Sequence, residues 1–286
     1  MSKLKIILID VGWGDSIFLE STYSDQRGNE KHSYALIDSN DTVNYKSSLI
    51  FLRKYFQRKF GTSKINKPLF DWVMLSHAHL DHGEGLKEIM QTFGTKRFFY
   101  PKSKNNTCLA HLQNYVNRVR YADGSTIIHQ AIDDQSIIPA FGNASVNILW
   151  PPKNYHKNNT NENNNSIVFS LTQDNQSCIF TGDAEEEVWD KIKHNIPQDT
   201  VFLKIPHHGS RNGSIDNNDE LAWSTPNTIS AFIGISTHNR PYNHPDDDVL
   251  DKLDDNDYVY ARTDKNYHIE ITIDASGRKT KYSKEF

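Results

Sequence analysis

An α/β fold with sheets in the middle and helices outside is what this 286-residue sequence predicts, and three observations predict it. Short runs rich in β-branched and aromatic residues recur along the whole chain. Between several of them lie segments whose apolar residues repeat at helical spacing. Strand follows strand early, whereas strand and helix alternate later, which is the order of a layered α/β domain.

In chain order, KIILID, DSIFLE and YALID read as strands, and a helical pattern runs from Val43 to Phe60. DWVMLS and KRFFY are strands, and CLAHLQNYVNRV is a helix. SVNILWP, SIVFSLT and SCIFTGD are strands, followed by AEEEVWDKIKHN, a helix with acids in its first turn and lysines in its last, as the helix dipole favours. TVFLKIP and TISAFIGIS are strands, PDDDVLDKLDD is a helix, and YVYART and YHIEITID close the chain as strands. No repeat period and no linker interrupts this order, so one domain over residues 1–286 is expected. NYHKNNTNENNNS follows Pro151 and Pro152 and reads as an exposed loop.

With 36% apolar and 24% charged residues the chain can bury a sizeable core. No apolar run approaches the ~18 residues of a membrane span. The opening MSKLKIILIDVG turns acidic too early for a cleavable signal, so a cytoplasmic protein with no membrane partner is expected. Cys108 and Cys178, the only cysteines, make neither a disulfide framework nor a thiolate metal site. Net charge is -4 and the pI is near 6.3, so any nucleic-acid contact has to be local. Two basic stretches, RKYFQRKFGTSKINK and KRFFYPKSK, read as solvated surface.

The chemistry concentrates in DWVMLSHAHLDHGEGL. A strand ending near Ser76 delivers its loop to one sheet edge. His77 and His79, two apart, point the same way in an extended turn, and Asp81 and His82 come from the next turn to face them. Neutral imidazoles with a carboxylate suit zinc, and also manganese or iron, and two ions can share such a cluster. Gly83 and Gly85 let a helix start close by. Asp183, at the end of an apolar strand, is placed either as a ligand or as the N-cap of the acid-rich helix. LKIPHHGS brings His207 and His208 to another strand end. Neighbouring side chains of an extended chain point to opposite sides, so one of the pair, His208 by preference, faces the metals. His207 is then left to touch substrate or to support a ligand. Lys204, Ser210 and Arg211 are donors suited to phosphate oxygens, or else ordinary solvated side chains. His244 precedes Pro245 and a helix start, with His238 a weaker competitor. The glycine turn IDVGWGDS is a plain turn or a border of the site.

HAHLDH resembles the H-x-H-x-D-H signature of the metallo-β-lactamase superfamily. IDVGWGDSIFLE, YALIDSN, NNNSIVFSL, FTGDAEEE, LKIPHHGS and NRPYNHPDDDVLDKL stand in the order seen in the soluble C-terminal domain of the ComEC family and its free-standing relatives. The resemblance covers nearly the whole chain. Nothing resembles that family's membrane channel or its OB-fold segment.

The resemblance implies a four-layered αβ/βα sandwich and two divalent ions, zinc or manganese. His77 and His79 would hold the first ion, Asp81 and His82 the second, and Asp183 would bridge them. Asp38 would orient a ligand histidine from behind, with Asp10 and Asp15 in similar supporting positions. His244 would be a last ligand or a proton donor, and Asp81, His244 and Lys204 are the catalytic candidates. Between His82 and Asp183 most members supply another histidine. Here NENNNS stands instead, with Asn163 and Asn165 as amide candidates, so one ion would be weakly held. The implied activity is direct hydrolysis of a phosphodiester, DNA or RNA, with no covalent enzyme intermediate. The alternatives are a small substrate such as a cyclic nucleotide or a lactone, and a non-catalytic metal-stabilised module that binds nucleic acid or a protein.

Overall fold

The computed structural model describes residues 2–42, 44–61, 65–104, 106–238 and 240–284. Six strands build most of a first sheet: β1 (Lys3–Leu8), β2 (Ile17–Ser24), β3 (Glu30–Ile37), β4 (Phe70–Met74), β5 (Thr95–Pro101) and β6 (Ile128–Ile132). Six more form a second: β7 (Ser145–Trp150), β8 (Val168–Gln173), β9 (Gln176–Phe180), β10 (Thr200–Lys204), β11 (Phe232–Ile235) and β12 (Val259–Arg262). The chain then returns to the first sheet with β13 (His268–Asp274) and β14 (Gly277–Ser283). The strand orders are β14-β13-β1-β2-β3-β4-β5-β6 and β12-β11-β10-β9-β8-β7. β3 to β6 run parallel to one another, as do β9 to β12.

Alternation along each strand sorts the side chains. Leu4, Ile6 and Leu8 of β1, with Trp72 and Met74 of β4, meet Phe169, Phe180 and Phe202 of the second sheet in a core between the sheets. Ile7, Phe18, Leu36 and Val73 face the other way, against α1 (Ser47–Phe60), α3 (Leu86–Phe93) and α4 (Thr107–Val116). On the far side, Val168, Ile179, Leu203 and Ile233 pack against α5 (Glu186–Ile192) and α7 (Asp247–Asp255). The result is the four-layered αβ/βα sandwich. Each fully buried Leu, Ile or Phe contributes about 1.5–3 kcal/mol.

Polar groups set the helix starts. Both oxygens of Asp41 accept backbone N–H groups at the head of α1, from Ser48 and Leu49 at 2.8 Å each. Asn106 caps α4 by accepting from the Leu109 N–H at 3.1 Å. The expected helix start at Val43 lies outside the described residues; α1 begins at Ser47.

Two strands escape the sequence pattern. β6 exposes Ile128, and β14, GRKTKYS, is an edge strand dominated by polar and charged residues, a composition that discourages pairing with other chains. No helix among the described residues is long and apolar enough to cross a membrane.

Candidate metal centre

The carboxyl ends of β3, β4, β9 and β10 open on one edge of the sandwich, the usual place for a site in parallel α/β sheets. The loop after β4 carries His77 and His79 into the short helix α2 (Leu80–Gly83), which holds Asp81 and His82. Asp183 follows β9, and His207 and His208 follow β10. Asp15 stands just before β2, which runs antiparallel to β3 and so starts at the same edge. Gly14 makes this possible: a Cβ there would sit 2.3 Å from the Asp81 carbonyl oxygen, so only glycine lets the first turn touch the α2 loop.

Asp183 is the hub. Its Oδ2 lies 3.4 Å from His82 Nε2, 3.5 Å from His208 Nε2, 3.7 Å from His77 Nε2 and 3.8 Å from His207 Nε2. Asp15, His82, Asp183 and His208 form the tightest group, with one donor atom from each within 4.8 Å of all the others, and all four side chains are buried. Asp15 Oδ1, His82 Nε2, Asp183 Oδ1 and His208 Nε2 have no hydrogen-bond partner. Leaving buried polar atoms unpaired costs about 1–3 kcal/mol each. Two imidazole nitrogens and two carboxylates make a donor set that fits a divalent metal ion.

Supporting contacts aim these atoms. Asp38 Oδ2 is 2.7 Å from His82 Nδ1 and accepts the Ser76 hydroxyl at 2.6 Å, which turns His82 Nε2 toward Asp183. His208 Nδ1 donates to the Ser236 carbonyl at 2.9 Å, which leaves its Nε2 as the free nitrogen. His207 and His208 both occupy the left-handed region, at φ 47° and 56°. This overturns the extended-chain expectation that only one of them faces the site. Two successive left-handed residues, each costing about 1–2 kcal/mol, swing both Nε2 atoms to the same carboxylate.

The charges interlock. Burial alone would raise Asp183, but His208, His82, His207 and His77 hold it well below the usual carboxylate range. Burial works against charge on His82, yet Asp183 and Asp38 outweigh it and hold the ring well above an ordinary imidazole. For Asp15, Lys204, His208 and His82 overcome burial and lower it. Burial pushes His77 well down, and His82 adds to that.

Several predicted residues are placed differently. Asp81 stands outside the tight group and accepts the Trp13 indole N–H at 2.9 Å, because successive positions of a helical turn point about 100° apart. Asp15 takes a place among the donors instead of supporting them from behind. Lys204 does not reach the cleft: its ammonium is buried, 2.8 Å from Asp15 Oδ2, and donates to the Ile205 carbonyl. Ser210 caps the short helix α6 (Arg211–Ser214), accepting from the Gly213 N–H at 3.1 Å. Arg211 turns outward to Asp219 and Asp248. Asp10 accepts from the Gly12 N–H at 3.1 Å and so shapes the glycine turn.

Asn163 donates to Glu185 at 2.8 Å, and Asn165 donates to Glu162 at 3.0 Å; Oδ1 of each is buried without a hydrogen-bond partner. His238 is exposed. His79 Nδ1 lies 3.0 Å from His77 Nε2. His244 borders the cleft, and burial, with the His207 and His208 rings, pushes it down to about 4.

Sequence reasoning missed Trp13, Glu162 and Glu185. Glu185 had a signal: it stands two residues after Asp183 in FTGDAEEE, read only as a helix-start acid. The open space above the cluster is a cleft of about 640 Å³ bordered by Trp13, His79, Asp81, Asn163, Tyr242 and His244 among others. Trp13 packs on Tyr242 and on His208 with ring centroids 4.8 Å apart in each case.

No family model matches the chain, and no curated protein matches it. Among solved structures it is similar to a metallo-β-lactamase from Cronobacter sakazakii altered in its HARLDQ motif, at 17% identity and a TM-score of 0.38, covering 62% of this chain and 60% of that one. It is similar to a long-form RNase Z from yeast, at 11% identity and a TM-score of 0.48, covering 85% of this chain and 38% of that one. It is also similar to a metallo hydrolase from the archaeon Ignicoccus hospitalis, at 12% identity and a TM-score of 0.46, covering 94% of this chain and 99% of that one. The match takes in less than two thirds of the Cronobacter and yeast chains.

Proposed function

We propose that this chain is a metal-dependent hydrolase of phosphodiesters, with nucleic acid as the foremost substrate. One observation carries the reading: four buried donor atoms without partners, from Asp15, His82, Asp183 and His208, converge beneath an open cleft. A structural ion pair would have satisfied those atoms within the protein. A purely structural metal would have no need of a cleft of about 640 Å³ above it.

A divalent ion held by these residues supplies Lewis-acid polarisation and the activation of water at neutral pH. The chain's own residues do the rest. Asp38 and the Ser236 carbonyl fix which nitrogen of His82 and His208 faces inward. Trp13 holds Asp81 at the cleft wall. Trp13, Tyr242 and His244 form an aromatic wall on which a nucleobase can stack, and Tyr242 is 65% exposed. That wall favours a nucleotide over a lactone. The ordered nitrogen donors and the open cleft favour an enzyme over a binding module.

The test is elemental analysis of the purified protein, followed by incubation with single-stranded DNA, duplex DNA, RNA, a cyclic nucleotide and a lactone, with zinc or manganese added. Metal uptake with phosphodiester cleavage, both lost in Asp183→Asn, is the expected result. Lactone cleavage without phosphodiester cleavage would keep the centre and overturn the substrate class. A protein that takes up no cation would overturn the reading altogether.

A further inference from the structure

We propose that a groove on the helix-covered face of the first sheet binds a ligand bearing adjacent phosphates, at a site separate from the metal centre. The groove runs between the strands β14, β13, β1, β2 and β3 and the last turns of α1, and it measures about 660 Å³, within the range of small-molecule sites. Lys3 and Thr22, which pair at one end of β1 and β2, border it; the turn that carries Asp15 joins the other end of these two strands.

Strand register assembles the groove's charges. Lys5 stands opposite Glu20, and Glu270 stands opposite Lys281. Every second residue of a strand shares a face, so Lys3 joins Lys5. The end of α1 adds Arg58 and Lys59 from the other wall. His32 aside, five ammonium or guanidinium groups line the groove against three carboxylates, Glu20, Glu30 and Glu270. It therefore carries a surplus of positive charge in a chain whose net charge is -4.

The cations are held in place before any ligand arrives. Glu20 is buried and accepts from Tyr55 and Lys59, while Lys5 Nζ lies 3.9 Å from Glu20 Oε2 and 3.5 Å from Glu270 Oε2. The same two ammonium groups stand 5.4 Å from the centre of the Tyr55 ring and 5.6 Å from that of Tyr34, respectively. Side chains already fixed lose little further freedom on binding. Among the described residues, Lys3 and Arg58 have no ion-pair partner.

A single carboxylate answers only one wall. Two or more phosphates in a row present oxygens to Lys3 and Lys281 on the sheet and to Arg58 on the helix, and a guanidinium takes phosphate oxygens in pairs. Their several charges also outweigh the repulsion of Glu30 and Glu270. Free oligophosphates, nucleotides and a nucleic-acid strand share this chemistry. The basic stretch RKYFQRKF, surface by composition, is thus joined by folding to lysines from both ends of the chain.

The test is calorimetric titration of the full chain, kept metal-free by a chelator so that no cation at the metal centre holds the probe. The probes are tripolyphosphate, ADP, a single-stranded DNA oligonucleotide and polyglutamate. Binding of a phosphate probe, weakening as salt rises, is expected. Lys3→Gln combined with Arg58→Gln, which strands no carboxylate, should weaken it about tenfold or more and leave metal uptake as it was. Tripolyphosphate or ADP bound in this way identifies a free oligophosphate as the ligand, and the oligonucleotide alone identifies a strand; either supports the site when the double variant weakens it.

Polyglutamate bound as tightly as the phosphate probes overturns the ligand class. No binding by the metal-free chain, or the same affinity in the folded double variant, overturns the proposal. Should the double variant not fold, Arg58→Gln alone decides by the same criterion. Failure here leaves the metal centre standing, and a chain that takes up no metal leaves the groove standing.

Discussion

Lys204 Nζ lies 2.8 Å from Asp15 Oδ2, with both side chains buried at the floor of the candidate metal centre. Removing one member of a buried pair strands the other charge and costs about 3–5 kcal/mol. Lys204→Met should therefore lower the stability of the metal-free protein by that amount in urea denaturation. Asp15→Asn added to it should recover much of the loss. A single variant that denatures at the wild-type midpoint would mean that the lysine is not held by the carboxylate.

Asp38 acts through His82. In Asp38→Asn the amide oxygen can still accept the Nδ1 proton that the carboxylate meets at 2.7 Å, but it carries no charge to stabilise the ring. Metal affinity should fall about 10–100-fold while the fold persists, as read by chelator competition and circular dichroism. An unchanged affinity would remove Asp38 from the account of the centre.

Tyr242 is the exposed end of the aromatic wall, 4.8 Å from Trp13 between ring centroids. Stacking of one base on an aromatic ring is worth about 1–3 kcal/mol. Tyr242→Ala should raise KM for a polynucleotide correspondingly and leave metal content as it was. Equal KM values would place the nucleobase elsewhere.

Glu20 gives a pH dependence remote from the candidate metal centre. Burial would raise its carboxyl, but hydrogen bonds from Lys59 and Tyr55 outweigh burial and hold it below the ordinary 4.5. A carboxylate lowered in the folded state contributes stability that is present above its unfolded value and lost as pH falls through the folded one. Stability should thus decline on acidification below about 4.5, and Glu20→Gln should be less stable at neutral pH with a shallower acid decline. A parallel decline in both proteins would refute the linkage.

What the sequence by itself determined is local. HAHLDH at a strand end, Asp183 after an apolar run and the paired histidines of LKIPHHGS were legible because a strand terminus and a cluster of imidazoles are written within a few residues. The layers were legible too, since alternation along β1, β4 and β8 sorts side chains whatever the partners are.

Tertiary structure decided the rest. Asp15 meets Lys204 and Asp183 meets four imidazoles across long stretches of chain, and no spacing rule reaches that far. Left-handed backbone at His207 and His208, which brings both rings to one carboxylate, is imposed by the surrounding loops and leaves no mark in residue type. The same holds for the asparagines: composition suggested an exposed loop and the resemblance made Asn163 and Asn165 amide candidates, whereas Asn164 and Asn165 are buried and the amides of Asn161 and Asn163 donate to Glu185. Side-chain chemistry is carried by the residue, but which donors share a point in space is set by how the two sheets stack, and that is a property of the whole fold.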